Sequence, residues 1–378
     1  MSAVEVDYRL EGPEDAPVVV LANSLGTTTE LWDRQAGALA ERFRVLRYDH
    51  RGHGGSPAPD GPYSIDDIGG DLLALLDRLA IARASICGVS LGGMVGMWLA
   101  ARAPERVDRL VLCCTSARFP SRADWEARAA TVRASGTAAV VDTALERWFT
   151  PAFRSSDRET VARFGETLRS IDDEGYAGCI EAIADMDLRG ELGAIRAPAL
   201  VIAGAEDPAT PPDHARLIQQ GIAGARLVVV PRARHLANVE RPAVITAEIL
   251  DHLGATGPRE RGMRVRREVL GDEYVDAAVK RTTALDADFQ DLITRYAWGE
   301  IWTRPGLDRR TRSAVTLTAL VALGRLDELA LHVRAARRNG MTADEIAEVL
   351  LQCAVYCGVP AANAAFAVAR RVLAEDSG

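Results

Sequence analysis

Over residues 4–250, short apolar runs rich in β-branched side chains alternate with longer segments whose apolar residues recur every three or four positions. The runs fall at 4–10, 17–21, 44–48, 84–89, 109–113, 199–203 and 225–230. Stretches such as Val-Val-Val-Leu (18–21) and Leu-Val-Val-Val (227–230) leave no polar position to face water, so they predict strands covered on both faces by helices. Strand and helix in alternation predict an α/β architecture with a mostly parallel sheet. Between 118 and 188 the strand signal stops and helical spacing takes over, which predicts a helical cap over the sheet. Residues 254–262, Gly-Ala-Thr-Gly-Pro-Arg-Glu-Arg-Gly, have the composition of a linker. Beyond them only helical periodicity remains, at 286–302, 308–323, 326–339, 342–357 and 360–374. The fourth of these segments opens on the capping box Thr342-Ala-Asp-Glu345, just past Gly340. The expected organisation is an α/β domain at 1–254 with a cap at 118–188, a linker at 255–262, and an all-α domain at 263–378.

Composition narrows the chemistry. A chain of 378 residues exceeds the usual size of one domain. Lys280 is the only lysine, and no glycine loop precedes it, so a P-loop nucleotide site is excluded and Schiff-base chemistry has a single poor candidate. With a net charge of −8 and no basic stripe interleaved with aromatics, no nucleic-acid partner is expected. No apolar run approaches a membrane span and the N-terminus has no signal-peptide pattern, so no membrane partner and a cytoplasmic location are expected. The six cysteines contain no C-x-x-C and read as buried thiols. The six histidines contain no metal-binding spacing, so neither a metal nor another cofactor is expected.

Gly88-Val-Ser90-Leu-Gly92 follows the run at 84–89 and opens a helical segment. A G-x-S-x-G there is a nucleophile elbow, in which small neighbours let a serine hold a strained backbone and project its hydroxyl. A serine hydroxyl needs a base, and the base an orienting carboxylate. His235 follows the last apolar run, and Asp207 follows the run at 199–203 in Glu206-Asp207-Pro208, so the order is Ser, Asp, His. Its place before the proline favours Asp207, with Glu206 beside it the alternative. Oxyanion donors are expected from the backbone N–H groups of Leu91 and of Leu25, in Asn23-Ser-Leu-Gly26. Together with Asp49-His-Arg-Gly-His-Gly-Gly-Ser56, these features resemble the α/β-hydrolase family, and the serine indicates ester or lactone hydrolysis. His50 and His53 read as structural members of that turn, and His214 and His252 as solvated. In the cap, Arg147-Trp-Phe-Thr-Pro-Ala-Phe153, taken with Asn23–Thr27, resembles the 3-oxoadipate enol-lactonases, which hydrolyse a small anionic enol-lactone. Trp125, Arg133 and Trp148 are the substrate-binding candidates, and Arg128 and Arg147 are further arginines able to meet a carboxylate.

The helical domain contains one histidine, His332, with Glu328 four residues before it and on the same helix face. Spacing alone favours an exposed pair over a catalytic one; the apolar neighbours Leu329, Leu331, Val333 and Ala336 argue for the second. Phe289-Gln-Asp-Leu-Ile-Thr-Arg-Tyr-Ala-Trp-Gly-Glu-Ile-Trp302, Glu328-Leu-Ala-Leu-His-Val-Arg-Ala-Ala336 and Val355-Tyr-Cys-Gly-Val-Pro360 resemble the carboxymuconolactone decarboxylase family. Peroxidases of that superfamily carry a C-x-x-C before the histidine; this chain has Arg325 and Glu328 there, so it departs from their pattern. Such a decarboxylation must return one proton and hold carboxylates, so His332, oriented by Glu328, is expected to donate the proton and Arg304 or the cluster Arg309, Arg310 and Arg312 to hold carboxylates; the resemblance implies self-association through the helical domain. The two resemblances imply consecutive reactions of protocatechuate catabolism. The alternative is a general carboxylesterase with a non-catalytic helical oligomerisation module.

Overall fold

The computed structural model describes residues 2–255, 257–304 and 306–375. The chain divides into two compact units, Met1–Ala255 and Thr256–Gly378.

In the first unit seven strands form one sheet: β1 (Tyr8–Glu11), β2 (Val18–Ala22), β3 (Arg44–Tyr48), β4 (Ala84–Val89), β5 (Val107–Cys113), β6 (Ala199–Gly204) and β7 (Arg226–Val230). Their order is β1-β3-β2-β4-β5-β6-β7, and β1 alone runs antiparallel to its neighbour. Every residue of β4 and β6 is buried, which is why these strands read as apolar runs, broken in β4 only by Ser85. The run at 227–230 departs from that expectation. It is the sheet edge, paired only with β6, and Val229 is 40% exposed. The helix Leu91–Arg102 is apolar on all sides because residues 91–100 are all buried. It can lie so close to the sheet because a Cβ at Gly92 would fall 2.2 Å from the Ala22 carbonyl oxygen.

Between β5 and β6 lie the helices Arg122–Ser135, Val141–Trp148, Pro151–Ser156, Arg158–Ser170 and Asp173–Asp185, where the cap was expected. Ser121, Thr150, Asp157 and Asp172 each accept a backbone N–H at a helix start, so the ends of the cap helices are held by local side chains.

The second unit is helical: Pro258–Leu270, Asp272–Arg281, Ala287–Ile293 running into a π-helical stretch at Thr294–Ile301, then Arg309–Ala322, Leu326–Arg338, Ala343–Tyr356 and Val359–Glu375. The stretch expected as a linker is therefore helical from residue 258; Thr256 lies outside the described residues. Pro258 stands at the first helical position, where a missing N–H costs nothing. Gly262 is a packing residue, since a Cβ there would lie 1.8 Å from the Thr294 carbonyl oxygen. A glycine that permits close helix contact and one that loosens a linker look alike in sequence. The capping box forms as read, with Thr342 and Glu345 satisfying each other's backbone N–H. Among the described residues no helix is long and apolar enough to cross a membrane.

Candidate active site

Ser90 stands between β4 and the helix Leu91–Arg102 with φ 53° and ψ −113°, a region costly for a residue with a Cβ. Its surroundings hold it there. The Ser90 N–H donates to the Cys113 carbonyl at 3.0 Å and its own carbonyl accepts from Thr115 Oγ1 at 2.7 Å. Gly88 is required next to it, because a Cβ at that position would meet the backbone of Gly92 at 2.2 Å.

Asp207, after β6, and His235, after β7, meet with Asp207 Oδ2 2.9 Å from His235 Nδ1. Glu206 is exposed, and Asp207 is 3% exposed. Burial by itself would raise the Asp207 carboxyl. The adjacent His235, the Thr210 hydroxyl at 2.7 Å and the Thr210 N–H at 3.1 Å outweigh it and hold the carboxyl below its ordinary value. An ionised carboxylate only accepts, so the proton of neutral His235 is on Nδ1 and Nε2 keeps its lone pair. Among the described residues no hydrogen bond joins Ser90 to His235. The two side chains line the same cavity of about 850 Å³, together with Leu25 and the cap residues Trp125 and Trp148.

Several backbone donors around Ser90 are engaged. Ser90 N, Gly92 N, Gly26 N and Thr27 N are all engaged, on Cys113 O, Asn23 O, His53 Nε2 and Ser24 O. Among the described residues the Leu25 and Leu91 N–H groups have no acceptor. The turn carrying Leu25 is braced from beneath: His53 Nε2 accepts from Gly26 N at 2.9 Å, and Asp49 Oδ1 accepts from Thr29 N at 2.7 Å. Burial pushes the His53 imidazole down to about 4, which keeps Nε2 an acceptor, and burial beside His53 pushes His50 down to about 3. Both rings also bond backbone carbonyls, His53 to Arg51 and His50 to Asn23, as their structural reading required.

In the helical unit His332 is half-buried and Glu328 exposed. Burial lowers the His332 imidazole and the nearby Glu328 charge opposes that, yet no hydrogen bond joins the two among the described residues. Also among those residues, no group of three or more His, Cys, Asp or Glu is placed to hold a metal.

Residues 17–242 match the family model for the alpha/beta hydrolase fold, and residues 287–371 that of the carboxymuconolactone decarboxylase family. A 3-oxoadipate enol-lactonase of Acinetobacter baylyi is 41% identical over 239 residues, covering 63% of this chain and 89% of its own. A 4-carboxymuconolactone decarboxylase of the same organism is 50% identical over 113 residues, covering 30% of this chain and 84% of its own. The chain belongs to both families, one in each unit. The crystal structure of the enol-lactonase from Burkholderia xenovorans superposes on the hydrolase unit with TM-score 0.65 at 45% identity, covering 66% of this chain and 97% of that one.

Within the hydrolase unit two readings of the sequence need correction. Arg133 is not among the residues that line the cavity and is taken up by Glu174 and Glu181, the former at 2.7 Å. The cavity is instead lined by Arg128 and Arg147. His214 is half-buried rather than freely solvated; it lines the cavity, its Nδ1 2.7 Å from Ser116 Oγ, with its ring beside Phe119. His252 is half-buried and lies 3.1 Å from the Pro198 carbonyl. No motif marks His214, because what places it is the fold of a distant cap segment against its helix.

The decarboxylase-family unit differs in the same way. Arg310 pairs with Glu345 and Arg309 with Glu268, the latter at 3.0 Å, while Arg312 donates to the Arg304 carbonyl at 2.7 Å. Arg266 was not legible as special, yet it is 6% exposed and has no carboxylate partner among the described residues. It reaches only Thr294 Oγ1 at 3.3 Å and Gln290 Oε1 at 3.1 Å, its Nε is unpartnered, and burial lowers it.

Proposed function

We propose that this chain catalyses two consecutive reactions of the 3-oxoadipate pathway: decarboxylation of 4-carboxymuconolactone in the helical unit, then hydrolysis of the resulting enol-lactone to 3-oxoadipate in the hydrolase unit. The observation that carries the proposal is that one chain matches both enzymes, the product of one being the substrate of the other.

In the hydrolase unit, Ser90 Oγ attacks the lactone carbonyl while His235 Nε2 takes its proton, and Asp207 steadies the imidazolium that forms. The Leu25 and Leu91 N–H groups receive the oxyanion. Opening of the ring expels an enolate that takes the proton from His235 and becomes the ketone. Water, activated by His235, then attacks the acyl-serine and releases the second carboxylate. The free donors at Leu25 and Leu91 and the Asp207–His235 contact support this sequence.

In the helical unit, loss of carbon dioxide from the ring carbon pushes electrons through the conjugated C=C into the lactone carbonyl. The dienolate that results needs one proton, which His332 returns; Glu328 acts on His332 through its charge rather than a direct bond. The helical unit also self-associates in this reading, supported by apolar side chains left in water: Val355, Tyr356 and Val359 are 76%, 79% and 62% exposed. Light scattering on the purified chain reads the oligomer, and a monomer at micromolar concentration contradicts it.

The test of function is to supply the purified chain with 4-carboxymuconolactone and follow both lactones. Wild type yields 3-oxoadipate, Ser90→Ala accumulates enol-lactone, and His332→Ala leaves the first lactone unconsumed. Turnover of neutral esters with no consumption of either lactone would replace this reading by a general carboxylesterase carrying a non-catalytic helical module.

A further inference from the structure

Among the arginines of the cap, Arg118, Arg122, Arg133, Arg154 and Arg169 each have a carboxylate within 4.0 Å, while Arg158 and Arg163 have none among the described residues and stand outside the cavity. Arg128 and Arg147, which line the cavity shared by Ser90 and His235, have none among the described residues. Asp124 lines the same cavity one helical turn before Arg128 and still makes no ion pair with it.

Arg128 is nonetheless held in place. Its guanidinium lies over the Trp125 ring at 5.7 Å and over the Tyr176 ring at 5.5 Å, and it donates to the Tyr176 hydroxyl. That arrangement uses its faces and one donor, leaving the rest of a planar fork for an acceptor. Tyr176 is fully buried. Burial raises its phenol, and both Arg128 and Arg147 act against that rise, which places the two positive charges around one hydroxyl.

The same aromatic wall stands over the turn that carries the Leu25 N–H. A Cβ at Gly26 would lie 3.0 Å from Tyr176 Cε2 and 3.5 Å from Trp148 Cη2. A ligand whose ester carbonyl lies at Ser90 therefore shares its cavity with two cations that make no ion pair with a protein carboxylate among the described residues.

We infer that Arg128 and Arg147 form a carboxylate-recognition site in the cap, selecting lactones or esters that bear a carboxylate a few bonds from the scissile carbonyl. The inference rests on the reading of Ser90, His235 and Asp207 as the ester-cleaving group. Arg128 is held by two rings yet carries no acid partner, and Arg147 shares its cavity with no acid partner either, so both charges are left for a ligand.

The test compares monophenyl succinate, an anionic ester, with its neutral methyl ester, phenyl methyl succinate, on the full chain. Wild type is expected to favour the anion. Arg128→Gln with Arg147→Gln is expected to cut that preference by about 10–100-fold, the worth of a charge-assisted carboxylate contact, chiefly through KM for the anion. The neutral ester should keep its kcat/KM within about twofold, which shows that the fold and the serine chemistry survive. No anion preference in wild type, or the same preference in the double variant, overturns the inference. Failure of the underlying reading looks different: cleavage of both esters would persist in Ser90→Ala, or wild type would cleave neither.

Discussion

Glu240 ties Thr150, at the end of a cap helix, to the loop that carries His235. One carboxylate oxygen accepts from Thr150 N at 2.8 Å and Thr150 Oγ1 at 2.7 Å, and the other from Arg234 N at 2.6 Å. Beside them the Leu236 N–H donates to the Trp148 carbonyl at 3.1 Å. Glu240→Ala leaves three donors without their acceptor, each worth about 1–3 kcal/mol if it stays dry. We expect a lower thermal midpoint for the hydrolase unit and a reduced kcat for enol-lactone, with consumption of 4-carboxymuconolactone unchanged. Calorimetry with the two assays on one preparation checks this, and unchanged enol-lactone kinetics would contradict the coupling.

Asp207→Asn keeps the shape of the site and removes its charge. The amide can donate to His235 Nδ1, which moves the ring proton to Nε2 and removes the base from Ser90. By analogy with the serine-protease triad, kcat for enol-lactone is expected to fall by about 10³–10⁴-fold. Steady-state kinetics with circular dichroism as the folding control measures it; a loss below tenfold would give the orienting role to another group.

Acid should loosen the hydrolase unit before carboxylate protonation becomes general. His50 and His53 are pushed down to about 3 and about 4 when folded, whereas in the unfolded chain they take a proton below about 6.5. The unfolded state thus binds more protons, and stability present above pH 6.5 is lost as the pH falls toward 4. Asp49 works the other way, since burial raises it to about 6 and the folded state keeps its proton longer. Two histidines displaced further than one carboxylate decide the sign. Urea midpoints at pH 7.5, 6 and 5 should fall in that order, and less steeply in His53→Gln, whose amide oxygen still accepts from Gly26 N. A rising midpoint would mean that Asp49 dominates.

Gly262→Ala tests the packing of the helical unit. Its new Cβ would meet the Thr294 carbonyl oxygen at 1.8 Å, so the helix Pro258–Leu270 must shift from the π-helical stretch or the variant loses stability. Overpacking of this kind typically costs about 1–3 kcal/mol, against the roughly 1 kcal/mol that alanine gains over glycine in an exposed helix. A lower thermal midpoint is expected; a higher one would show that 258–262 is loosely packed, as a linker would be.

Most of the hydrolase unit was legible because its signals are local. Strand β4 is buried at every position, the elbow glycines stand close to the serine they relieve, and Asp207 and His235 follow β6 and β7. Features that depend on two distant segments were not. Arg128 and Arg133 lie five residues apart on one helix, and only the positions of Glu174, Glu181 and Tyr176 separate a cavity cation from a surface ion pair. His214 reads as any helical histidine until Ser116 and Phe119 are brought to it.

By itself, then, the sequence determined the elements, the two families and the candidate order Ser90, Asp207, His235, because periodicity, turn chemistry and motif spacing act between near neighbours. The tertiary structure alone decided which arginines keep an acid partner, that Gly262 is a contact rather than a hinge, and that the Gly26, Thr27 and Gly92 amides are engaged while those of Leu25 and Leu91 are not. Each of these is a competition between partners from separate segments, and only their distances settle it.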